Sequence, residues 1–202
     1  HLVYQYMPFE YDVLSLSDEW FKFLDQVFEG DEDKDQKILL LQEFFGYCIM
    51  RDMNLHKALV LYGDGGNGKS VIVDILAAMM PAVSRLDWHE LSNNRGLEQL
   101  AGSWLNVSSE ISYKDLNSTS GFKKAIEQST LVADPKYKKP FTFKPFSKFI
   151  FATNGLPMVD DNSNGVFRRL MILSLNNSFV GREDWQLTER LLEELPGIFN
   201  WA

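Results

Sequence analysis

One cysteine in 202 residues, Cys48, leaves no partner for a disulfide and no thiolate set for a structural zinc. It falls in the apolar stretch from Phe44 to Met50, where a core thiol is expected rather than a reactive one. Histidine is equally sparse, and His56 and His89 stand isolated, without metal-ligand spacing. No apolar run reaches the roughly 18 residues that a membrane-spanning helix needs, and no charged-then-apolar leader opens the chain. The expectation is therefore a cytoplasmic protein with no membrane partner. A starting methionine is also absent: the chain begins at His1 and stops on the apolar segment Leu195 to Ala202, which suggests a piece of a longer polypeptide. There is no internal repeat and no low-complexity tract. What is present is a 45% hydrophobic composition, enough for one well-buried core.

The net charge of -8 is unevenly placed. Ten acidic residues and only Lys22 and Lys34 lie within residues 1–35, so that segment carries the whole excess, and the remainder is balanced. Within the remainder, Phe122 to Lys148 holds seven lysines against Glu127 and Asp134. On charge alone such a run reads first as a solvated face, so global charge does not exclude an anionic partner there. The acidic turn Gly30-Asp31-Glu32-Asp33 is most simply a solvated loop.

Periodicity divides the chain. Trp20, Phe21, Phe23, Leu24, Val27 and Phe28 recur at helical spacing after the cap candidates Ser15 and Ser17, with Gly30 as a stop, and a second helix is expected from about Asp35 to Met50. Residues 1–55 thus read as a small helical subdomain ahead of a core at 56–202. From Ala58 the pattern changes to a short buried strand, Ala58 to Tyr62, a glycine-rich loop, and a helix from Ser70 to Met80 ended by Pro81. Three more apolar runs, Trp104 to Val107, Lys148 to Thr153 and Leu170 to Leu175, read as strands. Continuous apolar strands alternating with helices predict an α/β fold with a mostly parallel sheet covered on both faces.

The loop Gly63-Asp64-Gly65-Gly66-Asn67-Gly68-Lys69-Ser70 is a complete P-loop between a strand and a helix. Gly63, Gly65, Gly66 and Gly68 let backbone N–H groups converge on phosphate without side-chain obstruction, with Asn67 among them. Lys69 can reach the β- and γ-phosphates, Ser70 can offer its hydroxyl to Mg²⁺, and the helix that follows presents its positive end to the anion. ATP and Mg²⁺ are the expected ligands. A carboxylate near the γ-phosphate is the next requirement, and Glu110, after the strand Trp104 to Val107, fits as the residue that polarises water or supports the metal. Many P-loop enzymes carry an acid pair here, whereas this chain has Ser109 in the first place.

The motif order resembles the superfamily 3 helicases, most closely the helicase part of phage and plasmid primase-helicases. The resemblance rests on Gly65-Gly66-Asn67-Gly68-Lys69-Ser70, on Glu110 about 40 residues later, and on a lysine-bearing hairpin at Phe122 to Ile126 and Asp134 to Phe141. It continues through a strand ending in asparagine, Phe149 to Asn154, and the arginine pair of Phe167-Arg168-Arg169-Leu170. It implies an AAA+-like ATPase core that assembles as a ring, by expectation a hexamer, and moves 3′ to 5′ along single-stranded DNA. It also implies a primase module in the parent protein and a phage or mobile element in a bacterial host as its source. Within it, Asn154 would hold the attacking water or sense the γ-phosphate. Arg169, with Arg168 as the fallback, would reach a neighbouring subunit's ATP as an arginine finger. Lys136, Lys138, Lys139 and Lys124 would follow DNA phosphates while Tyr137 lies against a base or sugar.

Two other classes stay open on the residues alone. A P-loop kinase of small molecules would phosphorylate an acceptor and ignore DNA. An assembly module that holds ATP but hydrolyses it weakly would fit the serine at position 109.

Overall fold

The computed structural model describes residues 5–51, 54–108, 119–155 and 164–202. Trp20, Phe23, Leu24 and Val27 recur three and four residues apart and turn one face of helix α1 (Asp18–Val27) into the core. Ser17 occupies the N-cap position but makes no side-chain cap bond. Both carboxylate oxygens of Glu194 instead accept the amides of Glu19 and Trp20, at 3.0 and 2.9 Å, placing a negative charge at the helix's positive end. Helix α2 (Lys34–Ile49) buries Leu41, Phe44, Phe45 and Cys48. The Cys48 thiol is fully enclosed, and burial pushes its pKa far above the ordinary range, Lys148 pulling more weakly the other way. Trp20 packs its ring 5.5 Å from Phe45 and 5.6 Å from Trp201, so the two ends of the chain share one aromatic layer.

Strand β1 (Ala58–Tyr62) runs into the glycine loop, and helix α3 (Lys69–Met79) follows. A two-residue strand, β2 (Val83–Ser84), and two 3₁₀ turns, Trp88–Ser92 and Leu97–Leu100, lead to β3 (Leu105–Ser108). Helix α4 (Ser120–Ile126) precedes an antiparallel hairpin of β4 (Leu131–Ala133) and β5 (Phe141–Phe143). Strand β6 (Lys148–Thr153), the short helix α5 (Asn164–Phe167), β7 (Leu170–Ser174), α6 (Leu187–Glu193) and α7 (Leu195–Trp201) complete the described elements.

The main sheet has the order β2-β3-β6-β1-β7, and every neighbouring pair is parallel. β1 lies centrally, Ala58 to Leu61 fully buried, with Tyr62 in register with Thr153 on one side and Ser174 on the other. Each fully buried aliphatic or aromatic side chain of this layer contributes about 1.5–3 kcal/mol, which explains why its strands are continuous apolar runs. This is the expected α/β core, a parallel sheet flanked by helices. The edge strand β2 is pinned by a buried carboxamide: Asn106 accepts from Leu86 N at 3.0 Å and Ser84 Oγ at 2.9 Å, and donates to Leu86 O at 2.9 Å.

One lysine of the basic run belongs to this interior. Lys148 is fully buried at the start of β6, its ammonium bonded to the Met50 carbonyl and lying 5.0 Å over the Tyr47 ring. The run therefore presents less charge to solvent than its sequence suggests.

Candidate functional site

Because all five strands are parallel, their carboxyl ends share one edge, where the chain leaves β1, β3, β6 and β7. The glycine loop leaves β1 there and is drawn to the end of β6 by Gly63 N donating to Thr153 O at 3.2 Å. It is drawn to the end of β7 by Asn67 Nδ2 donating to Leu175 O at 3.1 Å. Gly66 (φ 69°) and Gly68 (φ 89°) sit in the left-handed region that the turn into α3 demands. The first main-chain bond of α3 runs from Ile72 N to Gly68 O, so the amides before it have no helical acceptor.

Lys69 opens α3 almost buried, at 8% exposure, with its ammonium folded back on the loop. It donates to Gly63 O at 2.6 Å, Asp64 O at 2.8 Å and Asn67 Oδ1 at 2.9 Å. Burial holds its pKa below the ordinary lysine value, with the nearby Asp64 charge opposing. Ser70, one residue on, is exposed. A cavity of about 830 Å³ opens over these groups, a volume suited to a nucleotide-sized ligand. Gly65, Gly66, Asn67, Gly68, Lys69 and Ser70 form one wall, and Ser108 from the end of β3 and Asn154 from the end of β6 form another.

Asn154 thus shares a cavity with Lys69 and Ser70. Glu110 lies outside the described residues; Ser108, two residues before it, lines the cavity and donates to Asp87 Oδ1 at 2.9 Å. Several wall residues had no motif to mark them. Asp74 stands one turn beyond Ser70 on α3, on the same helix face, and its carboxyl is raised chiefly by desolvation, with Arg85 pulling it down. The spacing from Ser70 was a legible signal for it. Phe23 and Gln26 of α1, and Phe179, Arg182, Trp185 and Thr188 after β7, close the far side. Only tertiary contact brings these together. Trp185 is 87% exposed, so its indole stands open on that wall.

The arginine pair is split in a way the sequence does not indicate. Arg169, first choice above for reaching a neighbouring subunit, is only 7% exposed. Its guanidinium is held inside by Glu127 and by the Gly165 carbonyl. Extending it outward would break both contacts and leave Glu127 without its partner. Arg168 is exposed just after α5, and its carbonyl accepts from Lys57 Nζ at 2.6 Å.

The basic hairpin stands apart from the cavity. Lys136, Tyr137, Lys138 and Lys139 form the exposed turn between β4 and β5. Tyr137 takes φ 64° and is 92% exposed, with Lys136 Nζ 5.0 Å over its ring. A bulky residue in the left-handed region is uncommon, and here it turns the ring out to solvent. Lys124 is exposed on α4. No described helix is long and apolar enough to cross a membrane.

Known proteins resemble this chain in sequence and in fold. The chain is 26% identical over 215 residues to the "Putative helicase L207/L206" of Acanthamoeba polyphaga mimivirus, covering 96% of this chain and 21% of that protein. The solved structure of the NrS-1 C-terminal region superposes with a TM-score of 0.67 at 20% identity, over 98% of this chain and 45% of the other. JCV helicase, solved with a bound thiazolopyridine compound, superposes with a TM-score of 0.58 at 13% identity, over 93% of this chain and 54% of the other. The chain spans about a fifth of the mimivirus protein and about half of each solved chain. The fold is that of the NrS-1 C-terminal region and of JCV helicase, and through its match over residues 61–169 the chain belongs to DUF5906, described as a family of unknown function.

Proposed function

We propose that this chain is the ATP-driven motor domain of a DNA helicase, part of a replication primase-helicase that works as a ring on single-stranded DNA. The observation that carries the reading is one cavity, at the carboxyl edge of a parallel sheet, lined by Gly65, Gly66, Gly68, Lys69, Ser70 and the strand-tip Asn154. The residues fit a triphosphate. Gly66 sits at φ 69° with the Val180 side chain 2.8 Å from where a Cβ would stand, a position that favours glycine, and Lys69 donates to two loop carbonyls that phosphate can replace while Asn67 Oδ1 keeps the third bond. Mg²⁺ would be held by the Ser70 hydroxyl with phosphate oxygens and waters, and it would supply charge neutralisation at the transferred phosphoryl group.

In this reading Lys69 grips the β- and γ-phosphates, Asn154 orients the attacking water, and Glu110 polarises it. Arg168, rather than Arg169, reaches across a subunit boundary, because it is the arginine already exposed where α5 ends. Lys136, Lys138 and Lys139 track the strand with Tyr137 against a base or sugar, and Lys124 adds charge beside them. Support also comes from the helicase names of the mimivirus and JCV proteins.

The test is ATP turnover by the full-length ring with and without single-stranded DNA, in wild type and Glu110→Gln. The motor predicts stimulation by DNA and loss of turnover in the variant. Turnover indifferent to DNA, with phosphate passed to a small acceptor, would overturn it in favour of a kinase.

A further inference from the structure

Asn67 was assigned above to the phosphate loop as a residue that meets the nucleotide. Its surroundings give it another role. The side chain is 3% exposed, and both ends of its carboxamide are engaged. Nδ2 donates to Leu175 O at 3.1 Å, and Oδ1 accepts from Lys69 Nζ at 2.9 Å. A carbonyl only accepts and an ammonium only donates, so the amide has one permitted orientation between them. Turning it over would set oxygen against oxygen and NH₂ against NH₃⁺.

Space for this link is reserved at the first residue of the loop. A Cβ at Gly63 would lie 2.2 Å from Asn67 Nδ2 and 2.3 Å from Leu175 O. Gly63 is therefore required where the carboxamide meets the end of β7, away from the phosphate cradle. Leu175 is itself fixed, its amide donating to Tyr62 O at 2.8 Å, and four residues on Phe179 N donates to Gly66 O at 2.6 Å. Asn177, between them, donates to the carbonyls of Gln26 at 3.0 Å and Glu29 at 2.8 Å beyond the end of α1. The segment after β7 thus clasps the loop on one side and α1 on the other.

Lys69 has three N–H donors and three partners, of which two are carbonyls of the loop itself. Asn67 supplies the third and ties it to a separate strand. We propose that Asn67 is a positioning residue: it sets the Lys69 ammonium against the loop from a fixed point at the end of β7, and acts on a bound triphosphate only through Lys69. The statement about triphosphate rests on the nucleotide reading above; the statement about Lys69 does not.

Two near-isosteric variants separate positioning from packing. Asn67→Leu fills the volume without an oxygen, and Asn67→Asp keeps an oxygen toward Lys69. Acylation of Lys69 by an amine-reactive reagent, at one pH, without nucleotide, is followed by peptide mass spectrometry against the exposed Lys138. Asn67→Leu is expected to label several-fold faster than wild type, and Asn67→Asp, whose carboxylate still takes the ammonium but sets oxygen against Leu175 O, more slowly than Asn67→Leu. Equal rates for Asn67→Leu and wild type, or an Asn67→Asp as fast as Asn67→Leu, would overturn the positioning role. Calorimetric titration with a non-hydrolysable ATP analogue then compares Asn67→Leu in the wild-type and Lys69→Ala backgrounds. A loss of about tenfold in the first and less than twofold in the second supports action through Lys69. Equal losses in both would overturn it. If Lys69→Ala itself leaves affinity unchanged, the nucleotide reading fails while the labelling result still decides whether Asn67 positions Lys69.

Discussion

Replacing Gly63 by alanine perturbs the site at its narrowest point, although the change is a single methyl group. The added Cβ would lie 2.2 Å from Asn67 Nδ2 and 2.3 Å from Leu175 O, where ordinary contact begins near 3.4 Å, so each partner must retreat by about an ångström. Leu175 cannot retreat cheaply, because its amide is bonded to Tyr62 O at 2.8 Å and it directly follows β7. Overpacking of this kind costs about 1–3 kcal/mol, and loss of the Asn67 to Leu175 hydrogen bond adds about 1 kcal/mol. In a chain of this size each kcal/mol lowers the melting temperature by about 2–4 °C, so Gly63→Ala is expected to melt roughly 5–15 °C below wild type. Gly65 supplies the control: a Cβ there meets nothing within 4 Å, and its φ is not positive. Gly65→Ala should stay within about 0.5 kcal/mol of wild type. Parallel thermal melts followed by circular dichroism check both. A Gly63→Ala melt that overlays wild type, or a Gly65→Ala melt that falls as far as Gly63→Ala, would refute the reasoning.

The arginine pair should divide by assay. Arg169→Ala strips Glu127 and the Gly165 carbonyl of their buried partner and is expected to cost about 1–3 kcal/mol in a denaturant titration, whereas Arg168→Ala should leave stability within about 0.5 kcal/mol. In the assembled ring Arg168→Ala should reduce ATP turnover by about a thousandfold; a turnover unaffected by Arg168→Ala would remove it from the finger role. At the hairpin, replacing Lys136, Lys138 and Lys139 together by alanine should lower the slope of log affinity for single-stranded DNA against log salt by about two, with melting unchanged. A slope equal to wild type would place the DNA elsewhere.

What the sequence disclosed and what it hid have separate physical causes. The turn from β1 into α3 was legible because four glycines within residues 63–68 allow the positive φ values it needs, and Lys69 and Ser70 open the apolar helix that follows. The strands β1, β3 and β6 were legible because strands buried on both faces are continuous apolar runs, and the edge strand β7 because its run Leu170 to Leu173 is apolar although Ile172 is exposed. The edge strand β2 was not, since two residues carry no periodicity and depend on the buried Asn106 from a partner strand. Ser17 marked the start of α1, yet Glu194, distant in sequence, supplies the capping oxygens. Arg168 and Arg169 are alike in composition and adjacent in sequence, and the placement of Glu127 near β7 separates a buried guanidinium from an exposed one. Lys148 shows the same limit on charge counting, because a lysine entering a central strand is drawn inside by the Met50 carbonyl and the Tyr47 ring.

The claim beneath all of this is that a triphosphate is gripped by the loop around Lys69. Calorimetric titration of the full-length protein with a non-hydrolysable ATP analogue and Mg²⁺, in wild type and Lys69→Ala, tests it most directly. The account predicts saturable one-to-one binding per chain that weakens about a hundredfold or more in the variant, a loss of about 3 kcal/mol. Equal affinity in the two proteins would contradict it.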